Sequence, residues 1–477
     1  MKAQNLLFIL SDEHNPLVMG CAGHPLVKTP NLDRLAAAGT RFSAAYTNSP
    51  ICVSARASLA TGRHVHAHRC WDNAIAYDGR IGSWGHALQR TGHPVDSIGK
   101  LHFRSAEDPV GFDHQINPAH IEGGIGQVWG SLREPPLVTP DKAARMLLPM
   151  GPGFSPYNAY DQQNTEHACR WLEQAATEKQ GKPWVLYVGL VAPHFPLTVP
   201  QEYLNLYPLD AIPEPRLHPK NGYHRHPWVE NFHRCQPVDD SLDENGRRLA
   251  TACYLALCSY MDAQVGKILE TLEASGLADS TRVLYSSDHG DNLGARGLWG
   301  KCTMYEEAAG VPMILSGSDV PRGKVCNTAV SLIDVYQTVL QGAGEEQEAQ
   351  QPGLSGRSLL DIAGETDDAE RVVLSQYHAL GSETGAFMLR QGRYKYIHYV
   401  GHEPELYDLE QDPGETKNIA LDQPVRVKAF ETLLRSMLNP EEVDRQAKAD
   451  QAALIQRFGG PDKARNIGPK AATSVPS

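Results

Sequence analysis

Short apolar runs recur along the chain, each ending in polar residues and each separated from the next by a helical pattern. Asn5 to Leu10 is the first. It ends in Ser11 and Asp12 and reads as a buried parallel strand. Thr29-Pro30-Asn31 then opens a helix through Leu32, Leu35 and Ala36, closed by Gly39. The unit returns as a helix from Trp84 to Arg90 and a strand from Val95 to Ile98, ending at Gly99-Lys100-Leu101-His102. It returns again as a helix from Thr165 to Ala176 and a strand from Trp184 to Val191, ending at Ala192-Pro193-His194. The last is a helix from about Leu249 to Leu272 and a strand from Arg282 to Tyr285, ending at Ser287-Asp288-His289-Gly290. Alternation of this kind predicts an α/β fold with a doubly wound sheet whose site gathers at the C-terminal ends of the strands. Those ends deliver Asp12, Lys100 with His102, His194, and Asp288 with His289.

Other stretches lack this rhythm. Residues 111–156 are rich in Gly and Pro and read as an insertion or lid. Residues 195–247 are irregular and carry His218, His224, His226 and His233, which either border a pocket or sit in a solvated loop. Residues 342–353 form an acidic, Gln-rich surface loop. RYKYIHY, from Arg393 to Tyr399, alternates strictly and predicts an antiparallel strand in a smaller second unit, followed by a turn at Asp412-Pro413-Gly414. From Asn439 a polar helix (Glu441 to Arg457) leads into a Gly/Pro/Ser-rich end that is either disordered or wraps a neighbouring subunit. The expected organisation is a catalytic unit over 1–365, a C-terminal α+β unit over 366–438 and a tail over 439–477.

A formal charge of -12 argues against a nucleic-acid surface. An anionic substrate would then need a local cationic pocket, which draws attention to particular Lys and Arg positions. Nine scattered cysteines without a CxxC pair make a disulfide framework or zinc ribbon improbable. The first apolar run passes straight into Asp12-Glu13-His14 with no cleavage site, and no window is long and apolar enough to span a bilayer. The expectation is a cytoplasmic protein without a membrane or nucleic-acid partner.

The strand ends suggest the chemistry. Asp12 and Asp288 at one sheet edge repel unless a cation lies between them. With His289 they make an oxygen-rich set with one imidazole, suited to calcium, magnesium or manganese, with zinc an alternative. Glu13 is either a further ligand or an outer acceptor. Cys52 precedes a helix-like run, with Arg56 one turn behind it. That setting favours an anion or a polar nucleophile over a thiol, the alternative being a buried structural cysteine. His64, His66 and His68 have no matching partners and read as loop or strand histidines.

Taken together, NLLFILSDEH, TPNLDRLAAAGTRFSAAYTNSPIC, CVSARASLATGR, GKLH at 99–102, APHFP at 192–196, SSDHGDNLGARGLWGK at 286–301 and ELYDLEQDPGETKNIA resemble the type I sulfatases of the alkaline phosphatase superfamily. GKLH and Trp71-Asp72-Asn73 are most similar to the choline-sulfatase and phosphonate-monoester-hydrolase branch, whose members are often cytoplasmic oligomers. The resemblance implies an alkaline-phosphatase-like doubly wound sheet with a smaller C-terminal antiparallel subdomain. It implies hydrolysis of small sulfate monoesters by the hydrate of a formylglycine made from Cys52. Asp12, Asp288, His289 and residue 52 would hold one divalent metal, calcium first, with Glu13 as the open fourth protein ligand. Arg56 would steady the hydrate, His102 and Lys100 would flank it with His102 as base, and His194 and Lys301 would bind sulfate and protonate the leaving oxygen. Asn73 would line the substrate pocket. Partners implied are a formylglycine-generating or radical maturase and further copies of the chain in a dimer or tetramer. The family's usual motif has proline two residues after the cysteine; here that position is Ser54, followed by Ala55, residues that the radical maturases accept. A phosphonate monoester or phosphate diester hydrolase with the same site is the alternative, and an unmatured binding protein the third reading.

Overall fold

In the computed structural model, residues 2–134, 137, 145–178, 181–469 and 475–476 are described. The main sheet is built from β1 (Asn5–Asp12), β2 (Gly39–Phe42), β3 (Val95–Lys100), β4 (His114–Ala119), β5 (Val185–Pro193), β6 (Thr281–Ser287), β7 (Met313–Ser316) and β8 (Lys324–Cys326). Their order across the sheet is β8-β2-β7-β6-β1-β5-β3-β4. β1 pairs in parallel with both β5 and β6, and β3 in parallel with β5 and β4. β7 alone runs against its neighbours, so the sheet is mixed rather than wholly parallel.

The apolar run of β1 explains its central place. Leu6, Phe8 and Leu10 point to one face and Leu7 and Ile9 to the other, and all five are buried. The first face is covered by α2 (Cys52–Thr61), α4 (Trp84–Arg90) and α7 (Asp334–Ala343). The second is covered by α1 (Pro30–Ala37), α5 (Pro156–Thr177) and α6 (Glu244–Ala274). Between α2 and α4 lies the short α3 (Val65–His68), so the alternating histidines belong to a helical turn and not to a loop or strand. His68 bonds Ser58, and His66 bonds Gln376.

Two elements differ from the sequence reading. α5 begins nine residues before Thr165, because Ser155 and Asn158 form a capping box and Tyr157, Asn158, Tyr160 and Asp161 are buried polar residues that hide the apolar period. Within 111–156, HQINPA forms the edge strand β4, half exposed and without an apolar alternation to reveal it. His218 and His226 cap short helices, and His226 also stacks on Tyr399.

β9 (Val372–Tyr377), β10 (Ala386–Gln391), β11 (Tyr394–Tyr399) and β12 (Glu405–Asp408) form a separate antiparallel sheet in sequential order. The helix α8 (Pro440–Arg457) follows, capped by Asn439. It docks on its own chain, while residues 470–474 and 477 of the Gly/Pro/Ser-rich end lie outside the described residues. Leu454, Ile455 and Ala464 pack with Ala74, Val128 and Leu132, and Pro469 accepts the Trp129 indole N–H at 2.9 Å.

Candidate active site

β1 ends at Asp12, and the next residue turns the chain: Glu13 has φ 68°. That left-handed step lets two consecutive carboxylates enter one site. It is locked by Tyr254, whose hydroxyl donates to the Glu13 carbonyl at 2.6 Å and accepts from Asn15 N–H at 2.8 Å. β3 ends in a comparable device. Gly99 has φ 83°, and a Cβ there would lie 2.2 Å from the Gly189 carbonyl oxygen. The pairing register with β4 shifts at this point, and Lys100 Nζ meets Asp12 Oδ2 at 2.6 Å. The end of β5 is held by Asp161, whose two oxygens accept the Val191 and Ala192 N–H groups at 2.7 and 2.8 Å. Burial pushes the Asp161 carboxyl up to about 7.

Cys52 is the first residue of α2 and is 1% exposed. Its Sγ lies 3.1 Å from Lys301 Nζ, 3.2 Å from His289 Nε2 and 3.6 Å from Asp12 Oδ1. Burial and the neighbouring Asp12 carboxylate push the thiol up to about 11. Lys301 Nζ also meets Glu13 Oε2 at 3.2 Å and His194 Nε2 at 3.0 Å. The ring orientations of both site histidines are set from behind. His194 Nδ1 bonds the Phe195 carbonyl and His289 Nδ1 the Gly290 carbonyl, which turns each Nε2 toward the site.

Arg56 links several of these groups. Its Nε donates to Asp288 Oδ2 at 2.7 Å, one terminal nitrogen to Asp12 Oδ2 at 3.1 Å, and the other to the Lys100 carbonyl and the Tyr187 hydroxyl. Burial opposes ionisation of Asp12, but Lys100, His194 and Arg56 outweigh it and hold the carboxyl well below its usual range. Glu13 behaves oppositely: burial raises it and Lys301 compensates only in part. Burial, followed by Lys301 for His194 and by Lys100 for His102, lowers both imidazoles.

Asp12, Cys52, Asp288 and His289 each offer one ligand atom, all within 4.8 Å of one another, and Asp12, Glu13 and His194 form a second such group. Glu13 Oε1 is buried and meets no hydrogen-bond donor. Several oxygen donors, one imidazole and an unsatisfied carboxylate oxygen fit a divalent cation. The residues singled out in the sequence thus converge at one sheet edge, with Asn73 at the margin, 9% exposed. Sequence reasoning missed the residues that hold them: Tyr187, Tyr254, Asp161, and Asn292, whose amide donates to the Gly300 and Lys301 carbonyls. Only the polar GD-N-L run before Lys301 hinted at the last.

Comparison with known proteins identifies the family. Residues 4–345 match the family described as Sulfatase, and residues 294–442 match the description N-sulphoglucosamine sulphohydrolase, C-terminal. The chain is 31% identical to arylsulfatase K of Rattus norvegicus over 471 residues, 93% of this chain and 79% of the relative. It is 30% identical to choline-sulfatase of Rhizobium meliloti (strain 1021), covering 94% of this chain and 89% of the relative. Among solved structures, a phosphonate monoester hydrolase from Silicibacter pomeroyi shares the fold, with a TM-score of 0.73 at 23% identity over 91% of this chain and 94% of that one. The match over most of the chain, together with two named sulfatases at this identity, makes the protein a member of the sulfatase family and a sulfuric ester hydrolase.

Proposed function

We propose that this hydrolase uses residue 52, matured from cysteine to formylglycine, as its nucleophile, beside one divalent metal that Asp12, Asp288, His289 and residue 52 itself would hold, with Glu13 as the open further ligand. The observation that supports this most is the convergence of Lys301, His289 and Asp12 on Cys52 Sγ at the start of a helix. A formylglycine hydrate supplies two hydroxyls on one carbon, one to bond sulfur and one to let sulfate leave. The metal supplies Lewis-acid polarisation of a sulfuryl oxygen. Calcium is the first choice for an oxygen-rich set, with manganese, magnesium and zinc as alternatives.

The chain's own residues do the rest. Lys301 and His194 bind the sulfate oxygens, and this pair, with the Lys301 ammonium as the proton's source, protonates the ester oxygen as the S–O bond breaks. His102 takes the proton given up as sulfate departs. Lys100 and Arg56 keep Asp12 ionised, and Arg56 also fixes Asp288, so its part is to hold the carboxylates. Asn73 borders the same pocket.

The substrate is a small sulfate ester of an aryl or choline-like alcohol. The reading requires a formylglycine-generating or radical maturase. It extends to a homo-oligomer, a dimer or tetramer. All nine cysteines are free, which supports a reducing, cytoplasmic setting. No helix among the described residues is long and apolar enough to cross a membrane. The test is kcat/KM for an aryl sulfate against a matched phosphonate monoester. The sulfate is expected to be preferred; equal or reversed preference would move the site to phosphonate chemistry.

A further inference from the structure

The helix that begins at Cys52 has no cap of its own, because Ile51 stands at the cap position with an apolar side chain. Helix N-termini leave backbone N–H groups without intrahelical partners. Here one of them is met from outside: Val53 N–H donates to Asn73 Oδ1 at 3.3 Å. The other end of that amide is also engaged, Nδ2 donating to Gln127 Oε1 at 3.1 Å, while Gln127 N–H donates to the Asn73 carbonyl at 3.2 Å.

The two segments that meet at Asn73 and Gln127 are held together by α8. Gln451 Nε2 donates to Asp72 Oδ2 at 2.8 Å, and Asp72 Oδ1 in turn accepts the Ala74 N–H at 2.9 Å. Arg133, six residues after Gln127, donates to Gln451 Oε1 at 2.9 Å and to Asp444 Oδ1 at 3.0 Å. Asp72, Arg133, Asp444 and Gln451 are all more than nine-tenths buried. A helix almost four hundred residues away in sequence thus fixes the residue that closes the first turn of α2.

We propose that Asn73 is a positioning residue, the cap in trans for the helix that presents residue 52, and that α8 is the clamp that holds it there. This rests on residue 52 being the nucleophile. It differs from a substrate contact in what the amide must do. A cap needs an acceptor facing Val53 N–H, whereas a contact to sulfate needs a donor facing the pocket.

Exchanges at residue 73 separate the two. Asn73→Asp keeps the acceptor and places negative charge at a helix N-terminus, where it is favourable, and Gln127 can turn its own amide to donate. Asn73→Ala removes the acceptor. Rates toward an aryl sulfate are normalised to the fraction of residue 52 converted, read by peptide mass, and thermal midpoints confirm that each variant is folded. N73A is expected to lose about ten- to a hundredfold in kcat with little change in KM, the scale set by small displacements of a reacting group. N73D is expected to recover most of that loss. Gln451→Ala, which loosens the clamp, is expected to lower kcat by about two- to fivefold, less than N73A because the Val53–Asn73 hydrogen bond itself remains. N73D falling below N73A with a raised KM would overturn the proposal in favour of direct substrate contact, and so would N73A at wild-type kcat. Cys52→Ala is measured alongside: residual turnover in that variant would remove the nucleophile reading itself, whatever residue 73 does.

Discussion

Two regions of this molecule bury many charges, and they bury them differently. Where the loop after β6 meets the antiparallel sheet, Arg296 grips both Glu307 oxygens at 3.0 and 3.1 Å and stacks on Tyr305 at 3.7 Å. Lys395 bridges Glu306 and Glu415 at 2.9 and 2.8 Å, and Glu405 accepts the hydroxyls of Tyr305, Tyr399 and Tyr407. The contacts there run along the junction, with Lys395 shared between two carboxylates and Arg296 Nε left without an acceptor. At the sheet edge, Arg56, Lys100 and Lys301 face Asp12, Glu13 and Asp288, but Lys301, His289 and Asp12 converge on Cys52 Sγ, and Glu13 Oε1 is left without a donor. Burial of charge alone does not mark a catalytic centre, since ion-pair networks serve architecture as well. Convergence on one reactive side chain does.

The sharpest way to break that contrast is to remove a converging carboxylate. Asp288→Ala is expected to lower kcat/KM by about a thousandfold or more and to reduce metal bound per chain by elemental analysis. A variant that kept both would dissolve the distinction. Lys301→Met comes next, with an expected loss of about a hundred- to a thousandfold in kcat/KM and a thermal midpoint close to wild type. In the junction the effects should be exchanged. Lys395→Met leaves Glu306 and Glu415 buried without their cation, which costs about 3 kcal/mol of stability by denaturant titration, while turnover per folded molecule stays nearly unchanged.

The smallest effect concerns acid. His378 lies between Trp71 and Phe387, and burial lowers it to about 4 from an ordinary 6.5. The unfolded chain therefore binds the proton first. This histidine's contribution is complete at neutral pH and is lost as pH falls below about 6.5 toward 4. The cost between pH 7 and pH 5 is about 2 kcal/mol. Thermal midpoints across that range should fall, and His378→Gln should flatten the slope. An unchanged slope would show that other groups govern it.

The same contrast explains what could be read from the sequence. β1 and α4 were legible because Leu6 to Leu10 and Trp84 to Leu88 carry apolar residues at the spacing of their element. Asp12, Lys100, His194 and Asp288 stood out because they follow directly on such runs, whereas Lys301 was pointed to only by the family resemblance of residues 286–301. The start of α5 was not, since Tyr160 and Asp161 are polar residues buried by tertiary partners that local pattern does not reveal. The carboxylate contacts of Arg56 were hidden for the same reason: its partners lie 44 and 232 residues away, and only the parallel pairing of β1 with β6 places both within its reach.

The claim on which the rest depends is the chemical state of residue 52. Mass spectrometry of the peptide spanning Ser49 to Arg63, on enzyme active toward an aryl sulfate, tests it directly. The account predicts an aldehyde or its hydrate in place of the thiol, in a fraction that rises in step with specific activity. An unmodified thiol at residue 52 in fully active enzyme would contradict it.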